Sequence, residues 1–285
     1  MRALVVFVLL LMYSAAARAD EATVKRGEYV FKAAGCAGCH TREKPKGAFL
    51  AGGRRMETPF GAFYTPNITP DPTHGIGKWT YEEFVAAIRE GETRDGSVYY
   101  PAFPYSSYTG MREADLRDLW AYLRSVPPVA EASLPHDMAF PFNLRFSVRF
   151  WRLLYFESAR VTADNQRSQE WNRGAYLVRA LGHCGECHTP RNIIGGLDKD
   201  RELSGNKNAP DGKLVSNITP HPKKGIGSWS KQEIIELLED GSLPDGDFVG
   251  GSMTEVVENT TSQLTESDLR AIAAYLKALP ADEGP

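Results

Sequence analysis

The sequence predicts an all-α protein built as two tandem helical domains with long loops rich in glycine and proline. Three observations carry that expectation. A block of the chain occurs twice: Asn67-Ile68-Thr69-Pro70 returns as Asn217-Ile218-Thr219-Pro220, Gly75-Ile76-Gly77 as Gly225-Ile226-Gly227, Trp79 as Trp229 and Asp95-Gly96 as Asp245-Gly246, all at an offset of 150. Apolar residues then recur at helical spacing near the end of each half, and alternation suited to a large sheet is absent.

Taken in order, the chain opens with Arg2, an apolar run Ala3 to Tyr13, and the A-x-A site Ala17-Arg18-Ala19, which together read as a secretory signal peptide over 1–19 cleaved before Asp20. That run is too short to span a bilayer comfortably. Cleavage removes Arg2 and Arg18, so 33 basic residues become 31 against 36 acidic ones and the formal charge moves from −3 to −5. This mildly acidic balance argues against a nucleic-acid partner. About 266 mature residues fit two domains by length, placed here at 20–126 and 169–285 with a linker at 127–168.

A first helix is expected over about 22–34, with Val24, Tyr29, Val30 and Phe31 on its buried side, and its partner over about 170–181, with Tyr176, Leu177 and Leu181. Thr80-Tyr81-Glu82-Glu83 and Ser230-Lys231-Gln232-Glu233 are capping-box starts for a middle helix in each half. Closing helices start near Glu113 and, after Thr265, near Glu266; Leu116, Leu119, Trp120 and Leu123 match Leu269, Ile272, Ala273 and Leu276 at an offset of 153. The second half therefore carries three extra residues just before its last helix. Between the halves, Pro127, Pro128 and Pro135 stiffen the chain, and Phe140 to Phe156 holds five Phe, one Trp and one Tyr interrupted by Arg145, Arg149 and Arg152. This stretch reads either as a linker packing its aromatics between the domains or as a docking or membrane-surface segment.

The chemistry sits in a second repeat. Cys36-Ala37-Gly38-Cys39-His40 and Cys184-Gly185-Glu186-Cys187-His188 both read Cys-x-x-Cys-His, the attachment signal of c-type haem. Two thiols three residues apart reach the two vinyl groups of one porphyrin, and the adjacent His meets the iron as proximal ligand. All four cysteines of the chain lie in these motifs. A redox dithiol or a four-thiolate zinc site would use the cysteines and leave both histidines unexplained. Two covalent haems c are expected, attached through Cys36, Cys39, Cys184 and Cys187, with His40 and His188 on iron. Such haem is attached outside the cytoplasm, which agrees with the leader.

The distal ligand decides between an electron carrier and a site open to chemistry. The mature chain has four methionines, Met56, Met111, Met138 and Met253. Met253, 65 residues after His188, is the only one in its half and is assigned to the second iron. The repeat maps it onto Phe103, which cannot bind iron. The nearest substitute is Met111, 71 residues after His40, and it is assigned to the first iron. An open site, or a ligand such as His74 or His136, is the alternative there; these two, His183 and His221 otherwise read as ordinary loop residues. Arg54, Tyr64, Trp79 and Tyr105 are candidates for haem propionate contacts.

Thr58-Pro59-Phe60-Gly61, Asn67-Ile68-Thr69-Pro70-Asp71, Gly75-Ile76-Gly77 and Tyr100-Pro101-Ala102-Phe103-Pro104-Tyr105 carry a resemblance over nearly the whole mature chain. The chain resembles the multi-haem cytochrome c subunits of periplasm-facing alcohol, gluconate and fructose dehydrogenases and related dihaem cytochromes c. The resemblance implies class I-like cytochrome c folds in series, His/Met ligation, and electrons passed from a dehydrogenase to a cytochrome, an oxidase or a quinone-linked complex. This sequence has two haem motifs where those subunits usually have three, lacks their C-terminal membrane anchor, and has Phe103 where they usually place Met before Pro. The expected protein is thus a periplasmic dihaem electron carrier, not itself an enzyme, soluble or held at the membrane periphery through Phe140–Phe156. The alternatives are a haem enzyme, a peroxidase or a sulfur-compound oxidoreductase with an open first haem, and an obligate electron-transfer subunit of a dehydrogenase complex.

Overall fold

The computed structural model describes residues 20–207 and 214–284. The export signal read over 1–19 lies outside the described residues. Each half is framed by its first and last helices, which cross at a glycine. In the first half these are α1 (20–33) and, as the fifth helix in chain order, α5 (Glu113–Ser125). A Cβ on Gly27 would lie 1.9 Å from the Asp118 carbonyl oxygen, so only glycine lets the two backbones approach this closely. In the second half α7 (Gln169–Tyr176), which runs on as a π-helical turn Leu177–Leu181, crosses α11 (Glu266–Lys277) in the same way, with a Cβ on Gly174 falling 2.0 Å from the Ala271 carbonyl oxygen. An arginine precedes each glycine. Arg26 Nε donates to Asp118 at 2.7 Å, whereas Arg173 donates to Asp268 at 2.9 and 2.6 Å, one turn earlier on the equivalent helix.

Between the framing helices lie the short haem-motif helices α2 (Cys36–His40) and α8 (Gly185–His188), and the middle helices α3 (Tyr81–Val85, continuing as a π-helical turn Ala86–Glu90) and α9 (Lys231–Asp240). Both expected capping boxes are present: Thr80 and Ser230 accept from the Glu83 and Glu233 amides, and each glutamate reaches back to the cap amide. One-to-two-turn helices follow at matching places, α4 (Tyr105–Tyr108) and α10 (Ser252–Asn259).

The all-α expectation is corrected in the first half. Strands β1 (Arg55–Thr58), β2 (Gly61–Tyr64) and β3 (Asp137–Met138) form a three-stranded antiparallel sheet in the order β1-β2-β3, with Arg55 opposite Tyr64 and Gly61 opposite Met138. Strands of two to four residues are too short for alternation to register in sequence, and β3 comes from the linker, a long-range pairing with no local signature. Among the described residues the second half has only isolated bridges, such as Asn206 with Val215.

The linker also supplies α6 (Phe146–Tyr155), whose Val148 is buried against the first half. Its arginines bond back to the first half, Arg145 and Arg149 while still exposed: Arg145 donates to the Val98 carbonyl, Arg149 to the Gly96 carbonyl and Arg152 to Glu92. Phe146, Phe150, Leu153 and Leu154 face solvent, with Leu153 80% exposed. The segment therefore resolves into a basic face docked on the protein and an uncharged apolar face left outside. No helix among the described residues is long and apolar enough to cross a membrane.

The two halves share one apolar core, in which Val30, Leu116 and Leu119 of the first half are continuous with Tyr176, Leu269 and Leu276 of the second. Their contact is reciprocal. Tyr29 donates to Asp268 at 2.6 Å and accepts from the Thr265 amide at 3.2 Å; Tyr176, its counterpart, donates to Asp115 and accepts from the Arg112 amide at 3.0 Å. Equivalent residues meet across the junction in both directions, the pattern of a two-fold dimer interface within one chain.

Candidate haem sites

A single helical turn places the two thiols of each motif on one side, with the histidine closing the turn. None of the cysteines is in a disulfide; Cys187 is exposed and the other three are half-buried. Burial, followed by the charge of the neighbouring thiol, pushes Cys36 and Cys184 up to about 12. A redox dithiol needs the opposite, a thiolate stabilised near neutral pH. Among the described residues no cluster of three or more His, Cys, Asp or Glu could hold a metal ion, so the four-thiolate zinc reading has no geometry behind it.

Each motif histidine is locked from behind. His40 Nδ1 lies 2.8 Å from the Pro66 carbonyl oxygen and His188 Nδ1 2.7 Å from that of Ser216. A carbonyl only accepts, so Nδ1 carries the proton and the Nε2 lone pair is left for iron. Burial lowers the pKa of both rings, against a smaller opposing effect of the carbonyl bond, and keeps them neutral as a ligand requires. Two thiols and a neutral, oriented imidazole on one turn are the donor set covalent haem needs.

The repeated Asn-Ile-Thr-Pro stretch builds the wall behind these histidines. Pro66 and Ser216 immediately precede Asn67 and Asn217. Asn67 Oδ1 accepts from the Thr69 amide at 2.9 Å while its Nδ2 donates to the carbonyls of Val129 and Glu131; Asn217 repeats this with Thr219 at 2.8 Å and the Asp282 carbonyl. The asparagine thus ties the loop carrying the histidine's carbonyl to the chain that leaves the closing helix. The Gly-Ile-Gly repeat packs on the same loop: a Cβ on Gly75 or Gly225 would fall 2.1 or 2.2 Å from the carbonyl oxygen of Thr69 or Thr219.

The distal sides differ. Met253 is in the first turn of α10, half-buried against the core. The matching place beside α4 is filled by Phe103, whose ring packs 5.8 Å from that of Tyr108. Met111 lies immediately before α5, 1% exposed, its carbonyl accepting from Arg89 at 2.7 Å. The Arg112 and Thr265 amides donate to equivalent tyrosines at the start of the closing helices, so Met111 stands where the second half has Leu264.

The remaining histidines have structural partners. His136 Nδ1 accepts from the Tyr64 amide at 3.2 Å and fastens the linker to β2; His221 Nδ1 accepts from the Lys223 and Lys224 amides, as Asp71 Oδ1 does from Thr73 and His74. Of the propionate candidates, Arg54 donates to the Gly38 carbonyl inside the first motif and to Glu255 of α10, while Tyr64 accepts from Arg55. Tyr105 is fully buried with its hydroxyl unpaired, and Trp79 is half-buried against the core.

Sequence reasoning missed the residues that join the sites. Glu186, inside the second motif and 9% exposed, accepts from Ser106 at 2.8 Å and Ser107 at 2.9 Å of α4, and pairs with Arg191. Arg54 with Glu255 makes the return link from the first motif to α10. Each attachment motif is therefore held by the other half, the second by α4 and the first, through Arg54, by α10. Only the capped charge pattern of a motif glutamate could have hinted at this, since its partners lie 79 and 80 residues away.

The cytochrome c family pattern matches residues 24–127. A dihaem cytochrome c-type protein of Cereibacter sphaeroides is 48% identical over 262 residues, covering 90% of this chain and 86% of that protein. The chain belongs to the dihaem c-type cytochromes. Family membership implies covalently bound haem c in this cytochrome and supports electron transfer as its work. The cytochrome is also 40% identical to the fructose dehydrogenase cytochrome subunit of Gluconobacter japonicus and 40% identical to the gluconate 2-dehydrogenase cytochrome c subunit of Pantoea cypripedii, of which it spans 54% and 62% of the length.

Proposed function

We propose that the cytochrome carries one haem c in each half, with domains at 20–126 and 169–285, and shuttles single electrons in the periplasm from a dehydrogenase to a respiratory acceptor. The observation that carries this reading is the twin histidine lock, His40 on Pro66 and His188 on Ser216, beside two equivalent thiol pairs. Bound iron cycling between ferric and ferrous states supplies the one-electron chemistry. The chain fixes its potential and excludes competing ligands: His40 and His188 offer Nε2 from the proximal side, and Met253 and Met111 are the proposed distal sulfurs.

A specific observation favours a second reading for the first site. Met111 stands at a core leucine's position with its backbone tied to Arg89, and Phe103 fills the place of Met253. An iron there would lack a sulfur ligand and admit small molecules, as a peroxidase or sulfur-compound oxidoreductase requires. The uncharged outer face of α6 is the proposed docking surface for the dehydrogenase. Its arginines are already paired with groups of the first half and the mature charge is negative, so anionic lipid gains little from it.

The alkaline pyridine spectrum of exported protein stripped with acidic acetone tests the haem count; two per chain are expected, and one or none would overturn the proposal. Carbon monoxide added to the reduced protein separates the two readings of the first site: no uptake supports the carrier, and uptake at one haem supports the open site.

A further inference from the structure

The two attachment motifs approach each other on one side of the pseudo-two-fold axis, and two side chains fill the gap. His183 immediately precedes Cys184. Its ring meets that of Tyr108 edge-on, with centroids 5.4 Å apart. The Tyr108 hydroxyl donates to the Ala34 carbonyl at 2.8 Å, and Ala34 is separated from Cys36 by Gly35 alone. From the sulfur of one motif to the sulfur of the other, the path is covalent except for one ring contact and one hydrogen bond.

Backbone strain falls on the same residue, one of three non-glycine residues with positive φ among the described residues, the others being the equivalent pair Leu50 and Leu203. The position before the first cysteine is left-handed in both motifs: Gly35 has φ 63° and His183 φ 39°. Glycine takes that conformation freely, whereas another residue is strained by roughly 1–2 kcal/mol. Strain retained at a non-glycine residue marks a side chain the site uses. The mirror position across the axis has no rings at all, since Gly35 there faces the Thr260 hydroxyl, 2.9 Å from where a Cβ would stand.

We propose that Tyr108 and His183 are positioning residues that couple the two haem attachment segments and carry the electron between the halves. The inference rests on two haems being bound. In the step, ferrous iron on one side is oxidised to ferric as ferric iron on the other is reduced to ferrous; one electron crosses, and no proton or atom moves. The rings supply a packed contact where the mirror position has only the Gly35 hydrogen and the Thr260 hydroxyl.

The test uses the full-length holoprotein with Tyr108→Leu, Tyr108→Phe and His183→Gly. Haem count and midpoint potentials are measured on the same samples, and the Soret circular-dichroism couplet reports the mutual geometry of the two chromophores. Intramolecular exchange in the half-reduced protein is read from the broadening of haem-methyl NMR signals. Tyr108→Leu and His183→Gly should slow exchange at least tenfold with the couplet unchanged. Tyr108→Phe, which keeps the ring and loses the hydrogen bond, should slow it less. His183→Gly should also raise the melting temperature by releasing the left-handed strain, whereas a residue that served packing alone would lower it. Unchanged exchange in Tyr108→Leu and His183→Gly, or slowing confined to variants whose couplet also changes, overturns the bridge. Fewer than two haems in the parent protein overturns instead the reading on which it rests.

Discussion

The two halves are built to one plan and differ where iron would be closed off. Both cross their framing helices at a glycine, lock the motif histidine on a carbonyl and staple the loop behind it with an asparagine. The second half has Met253 in its distal helix, and the first has Phe103 in that place. The features the halves share are those that would hold a porphyrin, and the ones that differ are those that would tune it. The first half thus teaches which features are scaffold, because they persist when the distal side is changed.

The sharpest way to break the comparison is to exchange the distal residues. Met253→Leu should remove the only sulfur on its side and turn a closed iron into one that binds about one carbon monoxide per haem, with a lower potential because thioether ligation is lost. Phe103→Met should do the reverse in the first half if that iron is open: carbon monoxide uptake disappears and the potential rises. If Met111 already closes the first iron, Phe103→Met leaves the spectra unchanged and Met111→Leu opens the site. Reduced-minus-oxidised spectra with and without carbon monoxide read all three variants.

The scaffold should be equally intolerant in both halves. Gly27→Ala and Gly174→Ala each drive a methyl to about 2 Å from a carbonyl oxygen, so the framing helices must separate. The expected cost is roughly 3 kcal/mol or more, at the upper end for overpacking. Urea unfolding of the two variants checks it; a cost under about 1 kcal/mol in either would show that the crossing is not tight there.

Much of this was legible in the sequence, and the part that was not has a physical reason. The haem motifs, the capping boxes and the closing helices are local patterns, fixed within one or two turns, and they lie where their spacing put them. The Asn-Ile-Thr-Pro repeat marked equivalent places without revealing its job, because the groups it binds lie about 60 residues along the chain. The small sheet was missed since β3 is a two-residue strand recruited from the linker. Glu186, Tyr108 and His183 each make a contact between halves, and no periodicity in either half announces a partner in the other.

The junction offers a weaker, pH-dependent contrast. Asp268 is largely buried, which by itself would raise its pKa, but hydrogen bonds from Arg173 and Tyr29 together outweigh burial and hold it below the ordinary carboxylate value. A carboxylate with a depressed folded pKa stabilises above its unfolded value of about 3.9, and that contribution is lost as pH falls through the folded value. Asp268→Asn should therefore cost about 2 kcal/mol at pH 7, less than a fully buried pair because Arg173 keeps 31% of its side-chain exposure. The difference from the parent protein should vanish at low pH. Asp115→Ala, which removes the acceptor of the Tyr176 hydroxyl with no arginine in the pair, should cost about 1 kcal/mol. Melting curves between pH 3 and pH 7 separate the two.

The smallest contrast lies at the middle helices. Thr80→Ala and Ser230→Ala each delete the side-chain acceptor of a capping box, worth about 1 kcal/mol. The partner glutamates are left in different company. Glu83 keeps Arg94, which donates to it at 2.9 Å, so it stays anchored at the helix start when Thr80 is gone. Glu233 loses its hydroxyl partner; like Glu83 it keeps the cap amide, here at 2.6 Å, but beyond that it has only the more distant charge of Lys277 and no arginine. Ser230→Ala should therefore cost slightly more than Thr80→Ala. The opposite order in urea midpoints, with unchanged slopes, would mean that the π-helical turn after Val85 makes the shorter first-half helix more dependent on its cap than the arginine can offset.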